Sequence, residues 1–141
     1  NVTLNNFTNK IHLSDYALSN KTGVSFLETK NRFKTSQSGG AKISHSGDIK
    51  IKHIAGDNLI KIKNSIIAIK IDTEGHELFV LQGIKKLLVN NKIFLQIEIF
   101  PQNITDVTNF LNHLGFKLVT KSQFTHQENL LDYFFEKNIN L

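Results

Sequence analysis

The chain has 141 residues, no cysteine and a net charge of +5, so a disulfide framework and a thiolate metal site are both excluded. Its 40% hydrophobic and 21% charged content fits one globular domain with one core. No apolar run approaches the ~20 residues that span a bilayer, and the dispersed lysines lack the interleaved aromatics of a nucleic-acid groove.

These features set the first expectations: a cytoplasmic chain with neither a membrane nor a nucleic acid as partner. No methionine occurs anywhere, including position 1. A processed product or a piece of a longer protein is therefore expected.

In chain order, IHLSDYAL (11–18) reads as a strand, SNKTG (19–23) as a turn and GVSFLE (23–28) as a second short strand. TKNRFKTSQSGG (29–40) is polar and rich in Gly and Ser, which predicts a flexible loop over about 29–47. DIKIKHI (48–54) alternates strictly, with Lys50 and Lys52 on the solvent side of Ile49 and Ile51. DNLIKIK (57–63) suits a short helix capped by Asp57.

SIIAIKID (65–72) is a near-continuous run of β-branched residues, as expected of a strand buried on both faces. Residues 74–90 follow with helical spacing, Leu81, Ile84 and Leu88 making one stripe with Leu78 and Leu87. KIFLQIEIF (92–100) is a further buried strand that Pro101 ends. TDVTNFLNHLG (105–115) reads as a helix with Thr105 as N-cap and Gly115 as its C-terminal stop. FKLVTKS (116–122) and LLDYFFEK (130–137) form an antiparallel final pair. The alternation over 65–122 predicts an α/β fold with a mostly parallel sheet.

The chemistry concentrates in IKIDTEGHE (69–77). Ligands of open parallel sheets bind beyond the carboxyl ends of the strands, where Asp72 lies, with Glu98 near the end of the neighbouring strand. A carboxylate there must be paired or hydrogen-bonded. Lys70 shares a face with Asp72 and is placed to pair with Glu98 or Asp72.

Asp72 reads as a site residue. Glu74 and Glu98 stay open between structural and site roles. Glu77 reads as a first-turn acid favoured by the helix dipole. Gly75 fits a sharp turn, and Gly83 close helix-to-sheet packing. A zincin HExxH is excluded because Val80 stands where the second His would be. GxSxG, GxGxxG and Walker motifs are absent.

IKIDTEGHELFVLQGI resembles the signature of the FkbM-type S-adenosylmethionine-dependent methyltransferases: Lys-Ile-Asp-x-Glu-Gly-x-Glu, then an apolar helix with Leu-x-Gly. Lys70, Ile71, Asp72, Glu74, Gly75, Glu77, Leu81 and Gly83 match. Ile97 and Glu98 are similar to the family's next strand, and YALSNKTG (16–23) to its turn after the third strand. IAGDNLI (54–60) is similar to the segment before the signature, with Gly56 in place of a leucine.

The family's Gly-rich cofactor loop and ribose-binding acid have no counterpart in the chain. The resemblance implies a partial domain over 1–141 that carries strands three to seven of a Rossmann-like class I methyltransferase sheet. Its N-terminal strands would be missing and its final pair antiparallel. The strand at 11–18 would sit on the far side of the absent first two.

It also implies S-adenosyl-L-methionine as cofactor and O-methylation of a hydroxyl on a sugar or secondary metabolite, so a small-molecule or glycan acceptor. Asp72 and Glu74 would be catalytic, and Asp15, Ala17 and Asp72 would bind the cofactor. No metal is assigned. A homo-oligomer is one way to cover the missing strands. The rival reading is a non-catalytic α/β remnant or partner-completed interaction module.

Overall fold

A computed structural model of the chain describes residues 1–28, 42–44, 46–122 and 131–138. The strands are β1 (Ala17–Ser19), β2 (Gly23–Glu28), β3 (Lys42–Ser44), β4 (Ile49–Ala55), β5 (Ile66–Ile71), β6 (Lys92–Ile99), β7 (Lys117–Ser122) and β8 (Leu131–Lys137). The helices are α1 (Gly56–Leu59), α2 (Glu77–Gly83), α3 (Lys85–Val89) and α4 (Ile104–His113). No described helix is long and apolar enough to cross a membrane.

The α/β class holds, but the strands form two mixed sheets, ordered β1-β4-β2-β3 and β5-β6-β8-β7. Among the described residues only β1–β4 and β5–β6 pair in parallel. The other four pairings are antiparallel. This corrects the mostly parallel sheet expected over the chain. β3 pairs antiparallel with β2, and β2 with β4, while β8 runs antiparallel to both of its neighbours. The final pair, β7 with β8, is antiparallel as expected, with a bulge between Leu118 and Thr120.

Three further expectations are corrected. The strand at 11–18 is replaced by the shorter β1, because residues 11–16 pair with no strand among the described residues, and Leu13 is 79% exposed. The loop over 29–47 gives up Lys42–Ser44 to β3, which pairs with Phe26–Glu28; residues 29–41 and 45 lie outside the described residues. β5 is not covered on both faces. It is an edge strand that turns Ile66, Ala68 and Lys70 outward.

The core lies on one side of the second sheet. β6 sends Ile93, Leu95, Ile97 and Ile99 inward, where they meet Leu81 of α2, Leu88 of α3, and Val107 and Leu111 of α4. The expected single helix over 74–90 begins only at Glu77 and breaks at Ile84. Asp57 causes the break: its carboxylate accepts the backbone N–H groups of Lys86 and Leu87 at 2.8 and 3.0 Å. Those groups would otherwise donate to carbonyls one turn back. Asp57 therefore caps α3, while its own helix α1 has no side-chain cap.

Helix α2 packs on β1 through Gly83. A Cβ there would collide with the Ser19 carbonyl oxygen, so only glycine allows this approach. Asn20 Nδ2 donates to Gln82 Oε1 at 3.0 Å beside it. The two sheets are thereby held together across α2.

Candidate active site

The chain leaves β5 at Ile71 and enters α2 at Glu77, and the turn between them builds the site. Glu74 has φ +51° and Gly75 φ +98°. Glycine takes such a φ freely, whereas a glutamate is strained there. That pair of left-handed residues reverses the chain sharply enough to lay Glu74 back towards the end of β6. The parallel register pairs Ile71 with Ile97, so Asp72 follows level with Glu98.

One oxygen from each of Asp72, Glu74 and Glu98 lies within 4.8 Å of the others. The expected catalytic pair, Asp72 and Glu74, is thus brought together, with Glu98 as a third member. Asp72 is more exposed than a residue at the end of a doubly covered strand would be, because β5 is an edge. Its Oδ2 pairs with Lys70 Nζ at 3.3 Å, one of the two pairings open to Lys70 from the sequence.

Burial, followed by the charge of Asp72 and a hydrogen bond with it, pushes the Glu98 carboxyl up to about 7; Asp132 and Glu74 add to the effect. Glu98 is therefore largely protonated just below neutrality and donates to Asp72. Two carboxyl groups sharing one proton can take up or release a proton near pH 7. Carboxylate oxygens suit a divalent cation, but exposed acidic groups are common without one, and no metal ligand is assigned.

Beside the cluster lies a cavity of about 580 Å³ whose walls include Asp15, Ala17, Asp72, Thr73 and Glu74. Every residue expected at the site from the sequence, cofactor-binding and catalytic alike, lines this one space. Its remaining wall is Ser14, Tyr16, Leu27, Ile43 and Ile51. The volume falls in the range that takes small-molecule ligands. A second cavity of about 590 Å³ shares Asp72 and Thr73 with it and runs along β5, lined by Ile60, Ile67, Ile69, Val80 and Ile84 among others.

Two features escaped the sequence reading. Glu77 is fully buried and accepts the Gly75 N–H at 2.6 Å, the Thr73 hydroxyl at 3.4 Å and Asn103 Nδ2 at 3.2 Å. It anchors the turn from inside, beyond the helix-dipole role expected of it. The signal was present: position 77 extends the buried stripe of 81, 84 and 88 back by one turn.

The second is His76. Its Nε2 lies 3.0 Å from the buried Ser19 Oγ, and its ring stacks on Phe79 with centroids 4.7 Å apart. Burial lowers its pKa, opposed by the charge of Glu77 and reinforced by that of His53. It ties the site turn to β1, a pairing across 57 positions that no local pattern announces.

No curated protein and no solved structure matches the chain. A family model described as the methyltransferase FkbM domain matches residues 1–118, which bears out the resemblance in IKIDTEGHELFVLQGI. With its signature turn bringing Asp72, Glu74 and Glu98 together, the chain belongs to the FkbM methyltransferase domain family.

Proposed function

We propose that the protein is an S-adenosyl-L-methionine-dependent methyltransferase that methylates a hydroxyl of a sugar or secondary metabolite. The observation that carries this reading is the shared cavity: Asp15, just before β1, and Ala17 within it line the same space as Asp72 and Glu74. The donor set fits part of the cofactor. Leu27, Ile43 and Ile51 offer apolar walls to an aromatic ring, Asp15 and the Ala17 backbone lie at its polar edge, and the acids favour a cationic sulfonium.

The cofactor supplies an activated methyl group. The residues of the chain hold the acceptor hydroxyl in line. Asp72 accepts the hydroxyl proton, Glu74 orients the hydroxyl, and Glu98 holds Asp72 in place through the hydrogen bond between them.

The second sheet supports a Rossmann-like reading. Its order β5-β6-β8-β7, with β8 antiparallel to both neighbours, suits the C-terminal half of such a sheet. Further parallel strands would add at the free edge of β5, where the 590 Å³ cavity lies. The same free edge favours, as a second reading, a module completed by a partner chain.

The test is calorimetric titration with S-adenosylhomocysteine. Binding that Asp72→Asn and Asp15→Asn each weaken by about tenfold or more, roughly the loss of one charge-assisted hydrogen bond, is the expected result. A folded chain that gives no heat with millimolar ligand would remove Asp15, Ala17 and Asp72 from a cofactor site and favour the partner-completed module.

A further inference from the structure

We propose that Asn103 and Glu77 are positioning residues that hold the 73–76 turn, and with it Asp72 and Glu74, against Glu98. The turn needs an external hold. Glu74 and Gly75 both take left-handed φ values, and Glu74 does so at a steric cost. Packing does not supply that hold at Gly75: a Cβ there would meet nothing within 4 Å.

Hydrogen bonds supply it instead. The Glu77 carboxylate takes the Gly75 N–H at 2.6 Å and the Thr73 hydroxyl at 3.4 Å on Oε1. Its Oε2 takes Asn103 Nδ2 at 3.2 Å, and the same amide nitrogen donates to the Gly75 carbonyl at 3.1 Å. The two hydrogens of one amide thus bridge the turn and its buried anchor.

Asn103 holds the N-cap position of α4, where an asparagine ordinarily turns its oxygen to the first-turn N–H groups. Here it makes no such cap bond, and its side chain is committed to the turn. Asn103 also lies only five positions after Glu98, as the last residue of the Pro101–Asn103 turn. The segment that carries Glu98 therefore carries the clamp that holds Asp72 and Glu74 beside it. A clamp of this kind fixes carboxyl-to-carboxyl distance without touching substrate.

The role in the reaction rests on the proposed function, but the experiment does not. Carbon-13 NMR titration of the Glu98 carboxyl is run on wild type, Asn103→Ala, Glu77→Gln and the double variant, with thermal melts confirming that each is folded. Asn103 is only partly buried, so Asn103→Ala keeps the core intact and reads alone if Glu77→Gln fails to fold.

Wild type is expected to titrate near 7. Each single variant is expected to lower that midpoint by about one pH unit, since loss of one charged neighbour shifts a carboxyl by that order. The double variant falls no further, because both changes break one device. A folded Asn103→Ala with a lower melting temperature and an unmoved Glu98 midpoint would overturn the proposal, as would a wild-type Glu98 that titrates like an ordinary carboxylate. Failure to bind S-adenosylhomocysteine leaves the titration result standing.

Discussion

Glu98 and His76 load the fold with opposite pH dependences. The Glu98 carboxyl rises from 4.5 to about 7 on folding, so the folded chain binds that proton more tightly than the unfolded one. Its contribution to stability is full below 4.5 and is lost as pH rises through about 7. Glu98 is partly exposed, and allowing for solvent screening the loss is on the order of 1 kcal/mol. His76 is lowered from 6.5, so its contribution is full above 6.5 and is lost as the pH falls below it. Denaturant melts across this range should show Glu98→Gln without the wild-type fall in stability towards alkali, and His76→Gln without the fall towards acid. A Glu98→Gln slope identical to wild type would remove Glu98 as the source. The carboxylates at 72, 74 and 98 were legible as site candidates from strand ends and spacing. Their proton sharing was not, because it depends on the β5–β6 register. Glu77 does stand in the first turn of its helix as expected, but its anchoring role was not legible: an acid there has a sufficient local explanation, and only the buried face it joins reveals the other.

At the scale of elements, α2 is the joint of the molecule. Its last residue, Gly83, lies against the Ser19 carbonyl, and its first, Glu77, anchors the site turn. Gly83→Ala should cost roughly 2 kcal/mol or more, as overpacking against backbone does, and should weaken S-adenosylhomocysteine binding by pushing β1 away from the turn. A thermal melt compares it with wild type; a melting temperature unchanged from wild type would mean that β1 is not seated on α2. Most elements were readable from periodicity: GVSFLE, IKIKHI, the β5 and β6 runs and the final pair all form strands close to the expected bounds. The break between α2 and α3 was not, since the carboxylate that makes it lies 29 positions away at Asp57. Nor was the N-terminus of α4, where Thr105 looked like the cap and Asn103 holds that position with its side chain spent elsewhere. Local patterns record where a helix can exist; a distant side chain decides where it stops.

The whole molecule is two sheets with an open edge between them. Among the described residues β5 pairs only with β6, so the amides on its other side have no sheet partner. Hydrogen exchange should find those β5 amides fast and the β6 amides slow. Equal protection along both strands would mean that something covers the β5 edge in solution. The α/β alternation announced the helices and strands but not the division into two sheets, because each strand's apolar pattern is satisfied by either arrangement. Glu74 carries a consequence for anyone reshaping this sequence. Its φ of +51° is one that glycine or asparagine would adopt at less cost. A library selected for heat resistance alone would therefore rewrite position 74 early and discard the carboxylate that the proposed mechanism uses to orient the acceptor. Run without an activity filter, such a selection charts the backbone positions at which this sequence holds strain.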